Sequence, residues 1–181
     1  MKPMLAAATA FLLAAPATFA EDAPYAGQDA RKIASLSAAD VEAILAGEGW
    51  GLALPAELNG YPGPAHVLEL ADELDLTDDQ SAEVQAIFDR MQADAKEAGA
   101  VYVAAEEHLG MMFRMGHATP DRLETMLNEA ASARAALRQV HLQAHLEVTP
   151  LLTEAQKATY AELRGYGAHD SDMNHAGHGN H

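Results

Sequence analysis

The chain has 181 residues, no cysteine, and a formal net charge of −16 from 27 acidic and 11 basic side chains. Such a charge argues against nucleic acid and anionic membrane surfaces as partners and suits cations, basic clients or solubility alone. Without cysteine there is no thiol nucleophile and no disulfide, so packing alone must hold the fold.

Residues 1–20 read as a signal peptide. Lys2 supplies the positive start, Met4 to Ala15 the apolar stretch, and Ala17-Thr18-Phe19-Ala20 the small residues before a cleavage site at Glu21. The apolar run is shorter than the ~20 residues a membrane-spanning helix needs, so a soluble, exported protein is expected. Residues 21–36 are poor in large apolar groups, and a mobile N-terminal segment is expected there. Ser37 followed by Asp40 looks like a helix start, with Val41, Ile44 and Leu45 on one face and Gly47 and Gly49 as the stop, which predicts a short helix over 37–46.

Residues 47–63 are rich in Gly and Pro and predict irregular backbone. Trp50, Leu52, Leu54, Leu58 and Tyr61 are too apolar for a free linker, so this loop should lie on the helices or form a peptide-binding lip. Pro64 suits the first position of a helix, and Val67, Leu68, Leu70, Ala71 and Leu74 line its core side, which predicts a helix over 64–74.

Two copies of one pattern follow, Leu76-Thr77-Asp78-Asp79-Gln80 and Leu152-Thr153-Glu154-Ala155-Gln156. Each is a capping box. The Thr hydroxyl accepts a backbone N–H three residues on, and the Gln reaches back to the N-cap N–H. The acids in each first turn favour the positive end of the helix dipole. Between the copies run two apolar stripes with steps of three and four. One passes through Val84, Ile87, Phe88, Met91, Ala95, Ala98, Tyr102, Ala105, Leu109 and Met112. The other passes through Leu123, Met126, Ala130, Ala133, Leu137, Val140, Ala144 and Val148. Gly116-His117-Ala118 breaks the pattern, and Thr119-Pro120-Asp121 restarts it. In an antiparallel hairpin turning near residue 117, facing residue numbers sum to about 235. That rule sets Tyr102 against Ala133, Met91 against Ala144 and Ile87 against Val148, stripe to stripe throughout. The fold class is therefore all-α: a long antiparallel helical hairpin with short flanking helices, a hooked hairpin spanning 37–166. A hairpin this thin buries little by itself, so a homodimer is expected.

The doubled Leu-Thr-x-x-Gln resembles the LTxxQ-motif periplasmic proteins over roughly residues 60–166. These are the Spy/CpxP group of stress chaperones and the related ZraP-like and CnrX-like heavy-metal-resistance and metal-sensor proteins. The resemblance implies a periplasmic, hairpin-shaped stress protein.

The residues offer their own chemistry. Residues 167–181 are a His-rich flexible tail that cannot form a core. His169, Met173, His175, His178 and His181 make it a capture arm for Zn, Cu or Ni with little geometric selectivity. His141 and His145, four apart on a helix, could share one metal ion or pack beside the seam. The sum rule sets Asp94 opposite His141 as a candidate carboxylate. The CnrX-like proteins carry a His-x-x-x-Met ligand pair that His141-x-x-x-His145 resembles, and two His one turn apart on their first helix. Here His66 stands at the first of those positions but Leu70 at the second, with Glu69 as a possible substitute. Met111, Met112 and Met115 near the turn could be packing groups, an adaptable client surface or soft-metal ligands. Glu106-Glu107-His108 reads as a solvated helix face. Without a Gly-x-Ser-x-Gly, a Gly-rich phosphate loop or a His-Glu-x-x-His, no enzyme is expected. The leading expectation is a transition-metal-binding periplasmic stress protein serving metal tolerance or envelope homeostasis. The alternatives are an ATP-independent chaperone for unfolded periplasmic proteins and a metal sensor signalling to a membrane partner.

Overall fold

A computed structural model describes residues 24–166. The expected signal peptide and the tail with His169, Met173, His175, His178 and His181 lie outside the described residues. All the regular structure described is helical. The order is α1 (Ala38–Ala46), α2 (Leu54–Glu57), α3 (Pro64–Glu69), α4 (Asp78–Arg114), α5 (Pro120–Val148), a 3₁₀ turn (Thr149–Leu151) and α6 (Glu154–Leu163). No described helix is long and apolar enough to cross a membrane.

Helices α4 and α5 form the antiparallel hairpin. Every residue of the two stripes is buried or half-buried. An ion pair between Arg90 and Glu147 spans the helices beside the expected Ile87/Val148 and Met91/Ala144 levels, so the register follows the sequence pattern. Thr119 caps α5 by accepting the Arg122 N–H at 3.4 Å.

The two Leu-Thr-x-x-Gln copies meet at the open end of the hairpin, its base. Each Gln Oε1 accepts the backbone N–H of its own N-cap, at 3.1 Å for Thr77 and 2.9 Å for Thr153. Each Gln Nε2 donates across to the other Gln Oε1 at 3.0 Å. The same two amides also reach the backbone, Gln80 to the Leu151 carbonyl at 2.7 Å and Gln156 to the Leu74 carbonyl at 3.2 Å. One side chain thus closes its own helix start and ties it to the other. A Glu at this position could accept the capping bond but could not donate across, which is a physical reason for Gln. Beneath the cross, Val67, Leu74, Val84, Val148, Leu152 and Tyr160 form a buried cluster, with Leu76 packed against it.

A second cluster lies midway along the hairpin. Ile44 of α1 packs with Leu52, Ala95, Tyr102, Ala133 and Leu137. Ile44 and Leu137 are fully buried, each worth ~1.5–3 kcal/mol relative to exposure. Gly99 permits the contact. A β-carbon there would lie 2.7 Å from the Ile44 carbonyl oxygen, so α1 crosses α4 where α4 has no side chain. A glycine that costs α4 about 1 kcal/mol in helix propensity is thus the seat of α1.

Within residues 24–36, Ile33 and Leu36 are buried in the middle cluster, and Arg114 donates to the Lys32 carbonyl at 3.1 Å. Two local expectations differ from the structure. The helix expected over 64–74 ends at Glu69. The chain continues in turns and closes with Leu76 N–H on the Ala71 carbonyl at 3.1 Å and Asp75 N–H on the Asp72 carbonyl at 3.2 Å. Asp75 is left-handed at φ 48°, as the residue after such a stop must be. Finally, the irregular stretch contains α2, with Pro55 in its first turn. This loop does lie on the hairpin. Leu52 is buried, and Arg138 of α5 donates to its carbonyl at 3.1 Å.

Candidate functional site

Helix α2 delivers one carboxylate into the base. Glu57 is 6% exposed, and elements from three parts of the chain meet its Oε1. The Tyr160 hydroxyl of α6 donates to it, the Tyr166 hydroxyl donates at 3.1 Å, and His66 Nδ1 of α3 lies 3.1 Å away. The Arg164 guanidinium stands at 3.8 Å. Burial pushes the Glu57 carboxyl up, but the two phenol hydrogen bonds and the His66 imidazole outweigh it and hold the pKa below its ordinary 4.5. The Tyr160 hydroxyl is pushed well up, first by burial and then by donating to that carboxylate, so it stays protonated.

Glu57 Oε2 faces the other way and has no hydrogen-bond partner. It borders an open cleft of about 340 Å³ between the hairpin and the 49–66 region. Met91, His141 and His145 supply the hairpin wall, and Trp50, Leu54, Gly63 and His66 the opposite one. His141 is 2% exposed, and its Nε2 also lacks a partner. Burial, and then the neighbouring His145, lower its pKa from the usual 6.5, so its imidazole is neutral at pH 7. His145 is 7% exposed, and its Nδ1–H donates to the Tyr61 carbonyl at 2.6 Å, which leaves Nε2 with the lone pair. Glu57 Oε2 is 3.7 Å from that Nδ1. Gly63 packs flush on the pair. A β-carbon on it would lie 2.7 Å from His145 Cε1, 2.9 Å from Nε2 and 3.4 Å from Glu57 Oε2. Any side chain here would therefore displace the ring or fill the space between the two donors.

Of the residues singled out in the sequence, the structure brings His141, His145 and His66 to one cleft. His66 is already engaged at both nitrogens, with Glu57 on Nδ1 and the Arg164 guanidinium 3.3 Å from Nε2. Asp94 is not brought to His141. It opens into a separate groove with Arg90, Gln143 and Glu147, and neither histidine lines that groove. Glu69 is exposed and lines neither. Among the described residues, no three His, Cys, Asp or Glu side chains already converge on a point where a metal ion could sit.

Glu57 is the residue that the sequence pattern did not single out. Its signal is present: it is the one carboxylate between Glu48 and Glu69, and its neighbours Leu54, Pro55, Ala56 and Leu58 are all apolar. A lone charge in an apolar loop that folds onto helices must find partners.

A protein-family model described as "LTXXQ motif family protein" matches residues 65–164, more than half of the chain, and the chain belongs to that family. No curated protein and no solved structure matches it.

Proposed function

We propose that this LTXXQ family member is a periplasmic stress protein that binds a transition metal ion, Zn, Cu or Ni, in the cleft at the base of its hairpin. The ligands are His141 Nε2, His145 Nε2 and Glu57 Oε2, with Glu57 taking the role that the sequence suggests for Asp94. The observation that carries this reading is the pair of buried, partnerless atoms, Glu57 Oε2 and His141 Nε2, on one cleft with His145. Leaving either unsatisfied costs about 1–3 kcal/mol, which a bound cation would offset. Two imidazoles and a carboxylate are a donor set that suits Zn and its neighbours. His145 is prepared for the role, because its Nδ1–H bond to a backbone carbonyl is the usual outer support of a metal-bound imidazole. The ligands do not yet converge, so binding draws the 57–63 region and α5 together around the ion. The tail residues His169, Met173, His175, His178 and His181 add weaker, less selective capacity.

Calorimetric titration of the full-length protein with Zn(II), Cu(II) and Ni(II) tests this. One equivalent tighter than the tail's is expected, and His141→Ala and Glu57→Gln should each weaken it by about tenfold or more. Unchanged binding in both variants would show that the cleft holds no metal.

A second reading, a chaperone for unfolded proteins, is favoured by one feature. Leu54, Leu58 and Tyr61 of the base loop remain 53%, 58% and 41% exposed. If that surface holds clients, replacing Leu58 and Tyr61, which do not line the metal cleft, with Ser should abolish suppression of client aggregation while leaving metal binding intact.

A further inference from the structure

At its closed end the hairpin carries a cluster that the base cleft does not use. From His108 to Met115 the chain reads His-x-x-Met-Met-x-x-Met, and Met126 of α5 lines the same cleft. His108, Met111, Met112, Met115, His117 and Met126 line one cleft of about 270 Å³. Packing accounts for only part of this. Met112 is 8% exposed and belongs to the seam, but Met111 and Met115 are 39% and 59% exposed. Met111 in the last turn of α4 and Met115 at its C-cap lie one turn apart and open on the same cleft as both imidazoles.

We propose that this tip is a binding site for a soft monovalent metal ion, Cu(I), held by the thioethers of Met111 and Met115. Met112 or Met126 and one of the two imidazoles complete the set. The donor chemistry selects the ion. Thioethers are neutral, soft ligands that prefer Cu(I), whereas Zn, Ni and harder cations need carboxylate, imidazole or thiolate. No carboxylate lines the tip cleft among the described residues, in contrast to Glu57 at the base. The one charged side chain in the lining, Arg122, is directed at the His117 carbonyl, with Nη1 3.4 Å from it. Neither His108 nor His117 hydrogen-bonds through its ring to a described residue. Methionine's three rotatable bonds allow sulfurs on two helices to converge without moving the backbone. An apolar client is the less fitting occupant, because Phe113, the large exposed apolar group of the tip at 57%, does not line the cleft. The site is independent of the base cleft and does not rest on the function proposed there.

Methyl-labelled methionine NMR of the full-length protein tests this, with Ag(I) as a redox-stable stand-in for Cu(I). The Met111, Met112, Met115 and Met126 methyls should shift together and saturate near about one equivalent, with Met91 unmoved. Zn(II) should leave all four in place. The Met111→Leu/Met115→Leu double variant keeps apolar volume and fold, and should lose the concerted shift with at least a tenfold drop in tip affinity, of the order expected for losing two ligands. His141→Ala should leave the tip response unchanged. A response confined to Met173 and Met91, independent shifts at differing equivalents, or full Ag(I) affinity in the double variant would each overturn the proposal.

Discussion

At the base of the hairpin, α2, α3 and α6 all close on the ends of α4 and α5, and a carboxylate and two glutamines tie them together. At the tip, α4 and α5 pack on each other with no further described helix closing on them, and Arg114 reaches only the Lys32 carbonyl of the N-terminal segment. The three buried polar or charged residues among those described, Glu57, His141 and His145, all belong to the base. The tip instead leaves Phe113, Met111 and Met115 exposed. The contrast shows what the doubled motif accomplishes. It adds no contact along the seam, which the apolar stripes specify by themselves. It fixes where the flanking helices start, so that buried polar groups can be installed beneath them with partners. The tip, without such a lock, is free to present side chains outward.

Breaking the hub of the base should have the largest effect. Glu57→Ala leaves the buried Tyr160 hydroxyl without its acceptor and frees α2, and should cost ~3–4 kcal/mol in urea unfolding. A loss under about 1 kcal/mol would mean that the base does not depend on this carboxylate. The glutamine cross comes next. Gln80→Ala and Gln156→Ala should each cost ~1–2 kcal/mol, and the double variant should fall short of additivity by ~0.5–1 kcal/mol because the two share their bonds. Strict additivity would reduce the motif to two unrelated caps.

A smaller effect, set by two groups of the base, depends on pH. His141 has a folded pKa below its ordinary 6.5, so the unfolded chain takes up a proton first as pH falls. Stability is therefore full above 6.5 and is lost progressively from there down to the folded pKa, with no further loss from this group below it. Glu57, also lowered, adds stability that is present above 4.5 and lost as pH falls through its folded value. His141→Gln should flatten the upper part of this profile while leaving the Glu57 part. An unchanged profile between pH 6.5 and 5 would show that His141 is not the group responsible.

Much of this architecture is legible in the chain itself. The hairpin is read from period, because two long stripes with steps of three and four have one antiparallel register that joins them. The capping boxes are read from chemistry, since Thr and Gln three apart at a helix start have one obvious use. What they do to each other is not legible, because no local pattern says that Gln80 and Gln156 meet. Asp94 shows the limit of the facing rule. It gives the level along the seam but not the side, and Asp94 and His141 lie at one level on opposite flanks. Glu57 escapes periodic reading because it sits in a four-residue helix inside a Gly- and Pro-rich stretch. The last turn of α3 is lost for a similar local reason, a left-handed Asp75 in a sequence whose apolar spacing still looks helical.

The base is the locked end of the hairpin, and its cleft is the proposed metal site. Residue-resolved hydrogen exchange of the full-length protein, with and without Zn(II), tests both at once. Without metal, amides around Val84 and Val148 should exchange slowest and those over 110–122 fastest. With Zn(II), exchange should slow further over 54–66 and 141–148 and stay unchanged at the tip. Protection that appears only outside those two stretches, or a tip as protected as the base before metal is added, would contradict the account.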